Sequence, residues 1–184
     1  KKALEACNAN IDEAIDWLRE KGISKAAKKA DRIAAEGIAA ILTKDNKAVI
    51  IEVNAETDFV NKKEKFTDMV NEILETIMNS DVTTLEEALK LSVDGTTIED
   101  MIVDKTATIG EKLSFRRFEL VTKEDNQVFG TYSHMGGKIV TLAVLEGQDE
   151  EVAKDVAMQI AAMRPLYLDK ESVPEDRIEK EREV

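Results

Sequence analysis

Apolar positions change their period along this chain, and each change marks an element. Phe66, Met69, Val70, Ile73, Leu74 and Ile77 recur at intervals of three and four. That spacing predicts an amphipathic helix from about Lys62 to Met78 with a single buried stripe. Upstream, from Gly37, the period shortens. Ile38 to Leu42, the pair Asp45-Asn46, and Ala48 to Val53 read as a β-hairpin. A second hairpin is predicted from Val128 to His134 and Lys138 to Leu145, flanking Met135-Gly136-Gly137. It leads into a helix from Gln148 to Met163 with Val152, Val156, Ile160 and Met163 on one side, stopped at Arg164-Pro165 because proline disfavours helix in the residue before it. Hairpin followed by helix thus occurs twice, at 37–78 and 128–163, which points to a structural duplication despite little shared sequence.

Capping pairs supply further boundaries. Asn61 with Glu64, Thr84 with Glu87, and Thr97 with Asp100 have the spacing of a capping box, as does Ser172 with Glu175 before a highly charged last helix. Residues 113–121 read as a strand. At the N-terminus two short helices are expected, broken at Asn8-Ala9-Asn10, with Asn10 and Glu13 capping the second. Ile11, Ile15 and Leu18 share a face, and with Leu4 are expected to pack together beside a partly exposed Trp17. Gly22 is placed to end that helix in the left-handed conformation, with Ser24 starting another through an alanine-rich stretch to about Glu36. The expected fold class is α+β: a helical N-terminal piece followed by antiparallel hairpins packed against helices.

The aromatic content of 4% makes the expected core aliphatic, and the net charge of −12 argues against general nucleic-acid binding, which needs an excess of Lys and Arg to meet phosphates. A local basic patch, Lys25, Lys28, Lys29 and Arg32, either solvates its helix or steers a partner. No apolar run approaches the ~18–20 residues that span a bilayer. One cysteine, Cys7, rules out an intramolecular disulfide and fits a reducing, cytoplasmic setting. Its neighbours Ala3, Leu4 and Ile11 suggest a small buried thiol. The chain opens on Lys1-Lys2-Ala3-Leu4 without an initiator Met and closes inside a helical pattern, so a fragment of a longer protein is expected.

Candidate chemistry is sparse. A lone histidine, His134, cannot build a multi-histidine metal site, and zinc would need several more ligands. A Cys7–His134 nucleophilic pair lacks an activating context. Gly136-Gly137 lacks the spacing of a phosphate loop and suits a hairpin turn. No cofactor, metal or catalytic residue is expected. The informative stretch is Asn54-Ala55-Glu56-Thr57-Asp58-Phe59-Val60-Asn61, where a strand hands over to a helix and presents a carboxylate beside a phenyl ring. From spacing alone two roles are open: a cap and a lid on the local core, or a wedge aimed at a partner.

The run Glu52-Val53-Asn54, Glu56-Thr57-Asp58-Phe59-Val60 and Phe66 resembles, in register, the Thr-Asp-Phe-Val signature of the elongation factor Ts family. Lys1 to Leu4 and Gly22 to Ala27 resemble that family's ubiquitin-associated-like N-terminal domain, and Tyr132 to Ile139 its Tyr-x-His segment. The resemblance implies a guanine nucleotide exchange factor that binds elongation factor Tu·GDP and promotes GDP release, without bond-making chemistry. It implies that Thr57, Asp58, Phe59 and Val60 approach the Mg²⁺ and nucleotide side of that partner, and that His134, Met135 and Gly136 form a second contact. It also implies a division into an N-terminal helical domain at 1–33, lacking its first helix, a first core subdomain at 34–125, and an incomplete second one at 126–168. Residues 169–184 would begin a coiled coil that is missing. Dimerisation is left open. The competing functions are a plain protein-interaction module and an enzyme using Cys7 or His134.

Overall fold

The computed structural model describes residues 1–182; the last two residues of the expected final helix, 183–184, lie outside the described residues. The fold is α+β. Helices α1 (Lys2–Ala6) and α2 (Ile11–Ala27) precede a hairpin of β1 (Glu36–Lys44) and β2 (Lys47–Ala55). A 3-10 turn at Asp58–Lys62 leads into α3 (Glu64–Met78). Then come α4 (Leu85–Lys90), a minimal hairpin of β3 (Ser92–Val93) and β4 (Thr96–Thr97), and α5 (Ile98–Ile109). Strand β5 (Leu113–Thr122) closes a three-stranded antiparallel sheet of order β1-β2-β5. The second hairpin, β6 (Gln127–His134) and β7 (Ile139–Glu146), is a separate two-stranded sheet followed by α6 (Glu150–Met163) and α7 (Glu175–Arg182).

The main core lies between β2 and α3. Alternate residues Val49, Ile51, Val53 and Ala55 of β2 are buried on one face, as strand pleating requires. Against them lies the stripe Phe66, Met69, Val70, Ile73, Leu74 and Ile77, all buried. Each large side chain withdrawn from water here contributes about 1.5–3 kcal/mol. Ile98, Met101, Leu113 and Phe115 extend the same cluster. The caps of α4 and α5 form as their spacing predicts: Thr84 and Glu87 make a full capping box, and Thr97 accepts from the Asp100 N–H.

Four local expectations are corrected. Gly22 does not end α2; the helix continues to Ala27, and Gly22 instead sits where α2 crosses α5, so that a Cβ added there would stand 3.7 Å from the Cβ of Ala107. The basic residues after Lys25 therefore share no long helix. Asn61 does not cap α3: its Nδ2 donates to the Gly37 carbonyl at 2.9 Å, tying the 3-10 turn to β1. Leu4, Ile11, Ile15 and Leu18 do not pack together but stand exposed, while Ala3, Cys7 and Ala14 are buried with Trp17 against them. The short α1 meets α2 closely enough to bury only small side chains between them. Ser172 does not cap α7; its hydroxyl pairs with Asp169.

The second hairpin-helix unit packs through backbone proximity. The buried line on α6 is Ala153, Ala157 and Ala161, one position on from the expected stripe; Val152 and Met163 are exposed. The cause is Gly130, where an added Cβ would stand 1.9 Å from the Ala153 carbonyl oxygen. The hairpin is so close to α6 there that only alanine fits the facing positions. Thr141 Oγ1 donates to the Ala157 carbonyl at 2.8 Å.

Two outcomes follow from this packing. Gly130→Ala should cost about 1–3 kcal/mol by forcing α6 away from the hairpin. In amide hydrogen exchange, α6, β6 and β7 should lose protection while α3 keeps it. In the unmodified chain, amides of residues 1–20 should be less protected than those of α3 and α6, because only three small side chains are buried there.

Candidate functional site

Asp58 and Phe59 open the 3-10 turn between β2 and α3, and both are exposed, Phe59 to 79%. The next residue, Val60, is fully buried in the main core. This corrects the expectation that all four residues of Thr57–Val60 face a partner. The tight turn sends successive side chains in different directions, so Val60 anchors what Phe59 presents. On the other side, Thr57 is held by Glu111, whose carboxylate accepts from the Thr57 N–H at 2.9 Å and from the Thr57 hydroxyl at 2.8 Å.

Glu56 makes the reciprocal contact. Its carboxylate accepts from the Lys112 N–H at 2.6 Å and from Arg32 with both oxygens at 3.3 Å. Lys112 in turn donates its ammonium to the Ala30 carbonyl. Arg32 is therefore committed to the site rather than to a free basic patch. The Lys112 N–H holds the Glu56 carboxyl below its usual value of 4.5; partial burial opposes this, and the Arg32 hydrogen bond and the charges of Arg32 and Lys29 reinforce it. Nearby, burial raises the Glu52 carboxyl, but hydrogen bonds from Asn54 and Arg117 and the charges of Arg117 and Arg116 outweigh it, so the net direction is down.

The tip of the second hairpin comes to the same strand. His134, Met135 and Gly136 are exposed, Met135 to 74%. The Tyr132 hydroxyl and His134 Nδ1 share a hydrogen bond of 3.0 Å, and the two rings stack. Gly137 fixes the tip: its carbonyl accepts from the Ala39 N–H at 2.8 Å, and a Cβ there would stand 2.5 Å from the Ala39 carbonyl. Lys138 pairs with Glu36. The residues Glu36 to Ala39 at the start of β1 thus anchor both exposed groups, the turn through Asn61 and Gly37, the tip through Gly137 and Lys138.

Cys7 is buried in the N-terminal helical cluster, and Tyr132, not Cys7, is the partner of His134. Among the described residues no cluster of three His, Cys, Asp or Glu could hold a metal ion, and no helix is long and apolar enough to cross a membrane.

A family model described as Elongation factor TS matches residues 56–184, a span that starts at Glu56 and contains both the turn and the tip. The chain belongs to the elongation factor Ts family. It is 50% identical, over all 184 of its residues, to the elongation factor Ts of Pediococcus pentosaceus, and it spans 63% of that relative's length. Membership places it among translation elongation factors of protein biosynthesis. Within this chain, Glu56, Glu111, Lys112 and Arg32 hold the turn, a role their places in the sequence did not signal. They lie up to 82 positions from their partners, and no local spacing links them.

Because the Glu56 pKa is depressed in the fold, its network contributes stability that is fully present above about pH 4.5 and lost as pH falls through the lower folded value. Glu56→Gln should therefore lower the thermal midpoint near neutrality. The difference from the parent chain should shrink as pH drops from about 5 to about 3. An unchanged difference across that range would show that the carboxylate is not what matters.

Proposed function

We propose that this chain binds elongation factor Tu·GDP and promotes release of GDP, so that GTP enters, in the cytoplasm. The observation that carries this reading is a phenyl ring left in solvent on a turn that is fixed on both sides, by Val60 within and Glu111 without. A large apolar side chain held rigidly in water loses little entropy on docking and gains the burial it lacks. In this reading Asp58 and Phe59, with the edge of Thr57, enter the Mg²⁺ and nucleotide side of the partner. His134, Met135 and Gly136 supply the second contact, and their shared anchorage on β1 lets both engage one surface.

The energetics follow from linkage. A chain that binds nucleotide-free partner more tightly than the GDP-bound form weakens GDP binding by the same factor, and each ~1.4 kcal/mol of that difference is tenfold. No covalent bond is made or broken, so the activity is exchange rather than enzymatic turnover, and it calls for no cofactor in this chain. The working division is a helical module at 1–33, a first core subdomain at 34–125 and a second at 126–168, with 169–184 leading onward.

Phe59→Ala should slow stimulated GDP release from elongation factor Tu by about tenfold, equivalent to ~1.4 kcal/mol of lost coupling. It should leave the unfolding free energy within about 0.5 kcal/mol, as for other exposed positions. A loss of about 3–5 kcal/mol in stability with normal release per folded molecule would make Phe59 a core residue and reject the wedge.

A further inference from the structure

We infer that Glu111 is a positioning residue for the Phe59 turn, acting with Glu56 as a two-way carboxylate-to-backbone clasp; this role rests on the exchange reading above. Two corners of the chain meet edge to edge, residues 56–57 after β2 and residues 111–112 after α5. Each corner offers a carboxylate to a backbone N–H of the other. Glu111 takes Thr57 N–H and Oγ1–H; Glu56 takes Lys112 N–H.

Geometry makes Glu111 more than a loop contact. Thr57 is the residue on which the 3-10 turn starts, yet its own side chain caps nothing within that turn. Its hydroxyl and amide both point outward to Glu111, so both oxygens of one carboxylate fix the start of the segment whose next two residues are Asp58 and Phe59. Hydrogen bonds to an ionised acceptor are shorter and roughly twice as strong as neutral ones. The Glu111 side is itself held. Leu113 N–H donates to the buried Thr106 Oγ1 at 3.3 Å, which ties the corner back to α5. Val60 sets the depth of the turn and Asn61 ties its end to β1. Without Glu111, Thr57 loses both of these hydrogen bonds, the entry of the turn is held only one residue back by the Glu56–Lys112 bond, and the phenyl ring samples directions away from a partner.

The test combines a readout on the chain alone with one on exchange. In Glu111→Ala, the Thr57 amide should exchange at least about tenfold faster while Val70 and Ile73 in α3 keep their protection. Stimulated GDP release at saturating chain should fall by about fivefold or more, with Glu111→Gln intermediate because its amide keeps one acceptor oxygen and loses the other. In a Phe59→Ala background, Glu111→Ala should have no further effect on release, since there is no ring left to aim. Unchanged Thr57 protection overturns the clasp whatever the release assay gives. An equal effect of Glu111→Ala with and without Phe59 overturns positioning and leaves a generic structural role. A Phe59→Ala chain that stimulates GDP release from elongation factor Tu at the parent rate overturns the wedge and leaves Glu111 nothing to position, whereas a parent chain that stimulates no release overturns the exchange reading itself.

Discussion

Strand β2 is the element on which the rest of this structure hangs. It is the central strand of the main sheet, and its inward residues Val49, Ile51 and Val53 meet the stripe of α3. Hydrogen bonding to β1 on one side and β5 on the other fixes its register, with one irregularity between Glu52 and Val53. A slip of one residue would turn that apolar face to solvent, so burial locks the register. The position where β2 ends, and therefore where Asp58 and Phe59 emerge, follows from that lock. The exposed ring is placed by a core it does not belong to.

Two kinds of packing divide the work. The first unit is held by large side chains filling space between sheet and helix. The second is held by small ones, Gly130 against Ala153 with Ala157 and Ala161 behind, where backbones approach closely. Close approach gives a defined distance but little apolar area, so the second unit draws on its attachment to β1 through Gly137 and Lys138. The same attachment carries His134 and Met135 to the strand that already anchors the Phe59 turn. Scaffold and site thus share the four residues from Glu36 to Ala39.

Acidic residues outnumber basic ones, 38 to 26, and in this fold several serve as acceptors for backbone and guanidinium donors. Glu56 and Glu111 satisfy N–H groups at two corners that no strand partner reaches, and Glu52 gathers Asn54, Arg116 and Arg117. Such pairings hold loops in one pose, as the proposed docking requires.

Periodicity made the elements legible. The hairpins, the α3 stripe and the caps at Thr84 and Thr97 are encoded within a few residues of where they act, and local encoding is what a sequence displays. The exposed Phe59 and the tip at His134 could be named from their local run and its family resemblance. What the sequence could not display was anything decided by a partner far along the chain. Whether Gly22 ends a helix or packs against Ala107, whether Asn61 caps α3 or reaches β1, and which line of α6 faces inward depended on neighbours tens of residues away. Val60 and Phe59 look alike as adjacent apolar residues. Only the three-dimensional packing of the turn against the β2–α3 core buries one and leaves the other in solvent, and only the meeting of residues 56–57 with 111–112 holds it there.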